Sequence, residues 1–317
     1  MSPQIALHDP VFRAYVIIVL SSLALGGAVL AAVQWRLKKD LGSIWSTYRS
    51  WLVMALVAFV FVFAGRIPVI AGVTLLALFA FKELALASGL SRDRCLSGVV
   101  GAGIVSVGVV SVLSHSGWLE GGTGWFRLFL LLPVYAIVLI LLLPIVRNRA
   151  RGELSKVSLA IIGFIYIGWM FGHLGWLANS IHAYGFLGFV IFATELSDVA
   201  AFTFGRIFGR HPLRSEISPK KTWEGALGAL AVAMALPWML RFSFPFFGTG
   251  QLILAGLIVG IGGQLGDLSV SLIKREMGTK DMGRAIPGHG GILDRIDSLI
   301  YVAPLFMYLA NYGGELR

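Results

Sequence analysis

Residues 252–275 read LILAGLIVGIGGQLGDLSVSLIKR. Up to Gly266 the stretch is apolar or small apart from Gln264, which suits a helix in hydrocarbon, where about 20 residues span the core. Asp267 then interrupts it, followed by Ser271, Lys274 and Arg275. Asp267, Ser271 and Lys274 are spaced i, i+4, i+7 and share one helical stripe, with Ser271 and Lys274 one and two turns nearer the aqueous surface. A carboxylate at that depth has to pair with a cation or bind a metal, and an acid inside an apolar span is first of all a functional-site candidate. An ion pair with Lys274 is the plainer alternative, but two helical turns between the groups would strain both side chains.

Outward from this stretch the composition agrees. Of the 317 residues, 57% are hydrophobic and only 13% charged, with a mean hydropathy of +0.83. A soluble domain carries roughly 25% charged residues. Only helices and closed barrels satisfy their backbones in lipid, and the alternating ten-residue segments of a barrel are absent. The chain is expected to be an all-α, polytopic transmembrane bundle of about ten spans. These are Phe12–Trp35, Trp51–Ala64, Ile67–Ala87, Leu96–Leu113, Phe126–Val146, Leu159–Ala178, Tyr184–Phe208, Trp223–Phe242, Leu252–Ile273 and Ile296–Tyr312. The second is short, so a count of nine stays open. Met1–Pro10 lacks a basic stretch and Phe12–Trp35 is long for a signal segment, so that helix is expected to be retained. The lone Cys95 excludes disulfides and multi-cysteine metal sites.

The formal charge of +10 is topological before it is anything else. With the N-terminus outside, 21 of the 26 Lys and Arg fall on the inner side, leaving Arg13, Arg66, Arg127, Arg241 and Arg317 outside. That split follows the positive-inside rule and argues against a nucleic-acid partner. The last two inner loops are denser in cations than topology requires.

Two further segments carry polar residues. In KDMGRAIPGHGGILDRIDSL, residues 280–299, a Pro-Gly-His-Gly-Gly loop leads into Asp294, Arg295 and Asp297. A glycine loop feeding a helix N-terminus is a natural phosphate seat. Cations suit polyphosphate, and carboxylates suit the magnesium that accompanies it. In ATELSDVAAFTFGRIFGRHPLRSEISPKKTWEGALG, residues 193–228, Glu195 and Asp198 are i, i+3, and Lys220 and Lys221 sit at the edge of the next helix. Taken alone, SPKKTWEG reads as an interfacial belt of Trp and Lys.

Read together, these segments resemble the phosphatidate cytidylyltransferase (CDP-diacylglycerol synthase) family. The signature here is Ser271-x-x-Lys274-Arg275, four residues, Lys280-Asp281, then Gly283, Pro287, His289-Gly290-Gly291 and Asp294-Arg295-Ile296-Asp297. The SPKKTWEG and SDVAAFTFGRIFGR segments also match, and Asp267 falls where the family's other membrane acid lies. The likeness covers about Glu195–Asp297, dividing the chain into N-terminal helices over residues 1–190 and a catalytic region over 191–317.

The resemblance implies that CTP and phosphatidic acid give CDP-diacylglycerol and pyrophosphate, with magnesium and, in some members, a potassium ion. It implies a helical membrane fold whose site opens to the cytoplasmic leaflet of a bacterial-type inner membrane. The family's paired metal acids carry over onto Asp267 and Asp294, and Asp198 and Asp297 are additional ligand candidates. Asp267, Asp294, Lys221 and Lys274 are the expected catalytic set. Lys220, Ser271, Arg275, Lys280, His289, Gly290, Gly291 and Arg295 are the expected substrate contacts, although a structural role for His289 is equally open. CTP, phosphatidic acid and the bilayer are the expected partners, and a homodimer is compatible with the reading.

The lipid phosphate is itself an anionic nucleophile, so the barrier is electrostatic and cations should supply most of the catalysis. A CTP-dependent lipid kinase would need a base for its alcohol substrate, and the signature fits it less well. A transporter would show paired interrupted segments in both halves, whereas the polar residues here fall almost wholly in the second. A different lipid phosphate as acceptor stays open.

Overall fold

The computed structural model describes residues 1–37, 42–116, 123–279, 282–283 and 290–312. A short helix α1 (Pro3–His8) leads into α2 (Pro10–Leu37), α3 (Gly42–Ala64), α4 (Arg66–Ala87), α5 (Arg94–Leu113) and α6 (Thr123–Val146). Next, α7 (Glu153–Ile162) and α8 (Phe171–Leu177) form one continuous helix through π-helical turns at Gly163–Met170. They are followed by α9 (Ala183–Phe208), the strands β1 (Pro212–Arg214) and β2 (Ser218–Thr222), and α10 (Trp223–Met239). Last come α11 (Thr249–Leu257) and α12 (Gly263–Glu276), joined by π-helical turns at Ile258–Gly262, and α13 (Leu293–Tyr312).

Among the described residues, eight helices are long and apolar enough to cross a membrane, counting α7–α8 and α11–α12 as one each. In addition, α10 is a shorter apolar helix, and α13 opens on Asp294, Arg295 and Asp297 before turning apolar. The protein is an all-α polytopic membrane protein. Each of the ten expected spans falls on a helix, with two local differences. The second span is not short: α3 has 23 residues, its polar first turns being satisfied within the helix and against α2. Ser50 Oγ donates to the Ser46 carbonyl at 3.2 Å, and Tyr48 Oη donates to the Leu23 carbonyl of α2 at 2.7 Å. The other difference is the hairpin. The expected helix edge at Lys220 and Lys221 is strand β2, antiparallel to β1.

The core of the second half is aromatic. Phe186 and Phe189 of α9 meet Phe244, Phe247 and Phe306, with ring centroids 4.7 to 6.2 Å apart. Tilted and edge-on rings at such spacings add attraction beyond their burial. This packing fixes α9 against α13 toward one end of the bundle, and the polar residues gather at the other.

Candidate active site

Local hydrogen bonds set the hairpin. Thr222 Oγ1 accepts the Gly225 N–H at 3.2 Å and caps α10, as a threonine before a first turn does. Glu224 Oε2 accepts the N–H groups of Arg210 and His211, and Glu224 Oε1 lies 2.6 Å from His211 Nδ1. Arg275 Nε donates to the Ile217 carbonyl at 3.2 Å, tying the turn to the end of α12. Held this way, Lys221 Nζ reaches across to Asp267 Oδ2 at 2.6 Å.

Asp267 is positioned by a close helix crossing. A Cβ on Gly266 would collide with the Asp297 carbonyl, so only glycine lets α12 and α13 approach this closely. Tyr166, carried on the π-helical turns between α7 and α8, donates to the Gly266 carbonyl at 3.1 Å. Such turns are rare in helices and frequent at functional sites. Ser271 Oγ donates to Asp267 Oδ1 at 3.3 Å. On α13, Asp297 is buried and its Oδ1 accepts the Ser298 N–H at 2.8 Å, while Ser298 Oγ donates to Asp198 Oδ2 of α9 at 2.9 Å.

Asp198, Asp267 and Asp297 therefore lie within electrostatic reach of one another, and Lys221 acts on both Asp198 and Asp297. Arg295 acts on Asp198 too, so with Glu195 counted four carboxylates face two cations, which leaves two formal negative charges. Glu195, one turn along α9, has Arg295 within reach as a counter-charge.

A second pair stands on the same two helices. Lys274 Nζ lies 2.8 Å from Asp294 Oδ1, both side chains being largely buried. Asp294 Oδ2 accepts the N–H groups of Met282 at 3.3 Å and Gly291 at 3.1 Å. Gly290 has φ +82°, in the left-handed region that glycine occupies without strain. The first N–H groups of α13 go to a residue from the other half of the chain. Glu83 of α4 accepts Ile292 N–H through Oε1 and Leu293 N–H through Oε2, both at 2.9 Å. Free N–H groups at a helix start favour a negative partner.

The structure thus gathers Asp198, Lys221, Asp267, Ser271 and Asp297 into one group, with Lys274, Gly290, Gly291, Asp294 and Arg295 around the adjoining helix start. Lys220 and Arg275 are exposed on the flank. Lys280 and His289 lie outside the described residues. The ion pair within α12 between Asp267 and Lys274 is replaced by pairs between elements, Lys221 of β2 with Asp267 of α12 and Lys274 of α12 with Asp294 of α13. Sequence reasoning missed Glu83, Tyr166 and Ser298. Glu83 had a signal, as an acid ending an apolar span, but Lys82 beside it drew the reading toward topology. Tyr166 and Ser298 had none, since a single Tyr or Ser in an apolar run is ordinary.

The donor set suits magnesium. The acids and Ser271 offer only hard oxygen atoms, and the two formal negative charges of the first group match a divalent cation. Ammonium groups occupy one oxygen each of Asp267 and Asp294, so a metal at either position would share the carboxylate with Lys221 or Lys274 or displace it. Among the described residues, no three His, Cys, Asp or Glu side chains close around one point. Magnesium is commonly held by one or two carboxylates with substrate phosphate oxygens and water completing the shell, so a looser set is enough.

Residues 45–312 match the model of the cytidylyltransferase family. The chain is 33% identical to a phosphatidate cytidylyltransferase of Staphylococcus haemolyticus over 236 residues, 74% of this chain and 86% of the relative. It is 31% identical to a phosphatidate cytidylyltransferase of Staphylococcus aureus over 260 residues, 81% and 95% of the two chains. Identity of 36% over 197 residues links it to the uncharacterized protein YnbB of Escherichia coli, covering 60% of this chain and 66% of that one.

Proposed function

The chain belongs to the cytidylyltransferase family, and from that premise we propose that it transfers the cytidylyl group of CTP to phosphatidic acid, giving CDP-diacylglycerol and pyrophosphate. The observation that carries this reading is the junction of two distant motifs: Lys221 of the SPKKTWEG hairpin is paired with Asp267 of the α12 signature helix. An oxygen of the lipid phosphate forms a bond to the α-phosphorus of CTP. The bond from that phosphorus to the α–β bridging oxygen breaks, and its electron pair leaves with pyrophosphate. No proton has to be removed from the nucleophile, so no general base is assigned.

What the chain must supply is charge and position. Asp267 and Asp294 would hold the magnesium, with Asp198 and Asp297 contributing charge beside them. When bound, the metal supplies neutralisation of the phosphate oxygens. Lys221 and Lys274 place ammonium groups beside these carboxylates, and Arg295, Arg275 and Lys220 add positive charge where two anionic substrates meet. Glu83 holds the start of α13 by the N–H groups of Ile292 and Leu293, and Asp294 holds those of Met282 and Gly291, keeping Gly291 in register with the acids. The polar cluster sits at one end of the helices, so the diacyl tails stay in lipid while the headgroup reacts.

The finer reading places ten helices across a bacterial-type inner membrane, the N-terminus outside and the site on the cytoplasmic side. The 21-to-5 division of Lys and Arg supports that orientation. The test is CTP consumption by purified protein with a panel of lipid phosphates and lipid alcohols. CDP-lipid with pyrophosphate from phosphatidic acid supports the reading. Phospholipid with CDP from an alcohol would replace it with a kinase.

A further inference from the structure

The loops joining α4 to α5 and α6 to α7 line an open cavity of about 820 Å³, none of whose lining residues belongs to the acid cluster, within the range of small-ligand sites. Arg92, Arg94, Arg147, Arg149 and Lys156 line it, with Asp93 as the acid among its lining residues. Topology alone explains basic residues in such loops. It does not explain their convergence on one hollow from two separate loops, nor the way the hollow is built.

Two of the five cations are engaged. Arg147 Nη1 bridges both Asp93 oxygens at 2.9 and 3.0 Å, and Lys156 Nζ lies 2.7 Å from Glu153 Oε1. Asp93 also accepts the Leu96 N–H at 3.1 Å as the cap of α5, so the clamp locks one loop to the other. Five less two leaves Arg92, Arg94 and Arg149, for which no ion pair is formed among the described residues. Guanidinium forks match phosphate oxygens in pairs. The cavity lies at the ends of membrane-crossing helices, where lipid headgroups sit.

We propose that this cavity, which shares no lining residue with the acid cluster, is an anion site that binds a phosphate group through Arg92, Arg94 and Arg149. The same chemistry is offered by the headgroup of an acidic phospholipid and by a soluble phosphate. The site does not depend on the transfer reaction assigned above.

Cys95 lines the cavity and is exposed, and it is the chain's one cysteine, so it reports occupancy without an introduced label. The rate of Cys95 alkylation by a small uncharged thiol reagent is measured on the full chain in three settings. These are phosphatidylcholine vesicles, the same vesicles with phosphatidylglycerol mixed in, and phosphatidylcholine vesicles with inorganic phosphate. At 80% occupancy the reaction slows about fivefold by mass action. Slowing with phosphatidylglycerol but not with inorganic phosphate identifies a lipid headgroup as the source. Slowing with inorganic phosphate in neutral vesicles identifies a soluble anion. The Arg92→Gln, Arg149→Gln double variant, and each single variant, should lose the protection. An unchanged rate in all three settings overturns the proposal. Equal slowing in the Arg variants overturns it as well, because it would come from the membrane's general surface charge.

Discussion

Glu83→Gln should loosen the catalytic end of α13 while leaving the bundle folded. In the native protein both carboxylate oxygens receive backbone N–H groups, from Ile292 and Leu293, at 2.9 Å each. Glutamine keeps one acceptor and turns an NH2 group toward the other N–H, so one bond is lost along with the negative charge at the helix start. A hydrogen bond to a charged group contributes about 1.5–3 kcal/mol, and a charge near a helix terminus about 0.3–1 kcal/mol. Glu83 is half-buried, and water will satisfy part of what is lost. An expected cost of about 2 kcal/mol corresponds to roughly a thirtyfold shift away from the seated helix start. Hydrogen exchange over the segment from Gly290 to Ile296 should accelerate accordingly, and CTP turnover should fall with it. The melting temperature should move little, because α13 stays packed through Ile300, Ala303 and Phe306. Glu83→Asp keeps the charge but shortens the reach, so it should fall between wild type and Gln. Wild-type exchange at the Ile292 and Leu293 amides in the Gln variant would refute the capping role and, with it, the contribution of α4 to the site.

Asp267→Asn and Asp294→Asn should each cut turnover by about a hundredfold or more while the protein still inserts and purifies, since both remove charge a hard cation needs. The double variant should be little worse than either, because residues serving one centre act as a unit; near-normal turnover of Asp267→Asn would defeat the assignment. Lys221→Ala should lower turnover far more than Arg241→Ala, which is exposed outside the cluster, and equal rates would reduce the Lys221–Asp267 pair to a structural contact. Burial works against the Asp93 carboxylate, but the Leu96 N–H and Arg147, with the charge of Lys156, outweigh it and hold its pKa below the usual value. Its stabilisation is therefore present above the unfolded-state value, about 3.9, and lost as pH falls through the lower folded value. Asp93→Asn should be less stable near neutrality by about 1 kcal/mol, and thermal melts should show that gap closing below about pH 4. Cysteines placed at Arg151 or Arg214 in a Cys95→Ser background should be shielded from an impermeant external reagent, and a cysteine at the exposed Thr249 labelled; the reverse pattern would invert the orientation.

Everything that repeats along one helix was legible in the sequence. Apolar runs fixed the helices, because lipid leaves the backbone no other partner. The stripe Asp267, Ser271, Lys274 was legible because 3.6 residues per turn set its spacing, and the Ser271–Asp267 bond runs along it at 3.3 Å. Local composition also marked Asp198, Asp294 and Asp297 as costly acids needing company. Which company they keep was not legible. The sequence offers Lys274 to Asp267 along the helix, yet Lys274 goes to Asp294 and Asp267 takes Lys221, 46 residues earlier in the chain. That choice depends on the crossing at Gly266, where α12 meets the Asp297 backbone, and on a hairpin set by Glu224 and Thr222. Glu83 and Tyr166 reach the site from the first 190 residues for the same reason. Partners on different helices are set by packing distance and rotation, and no spacing along the chain encodes either.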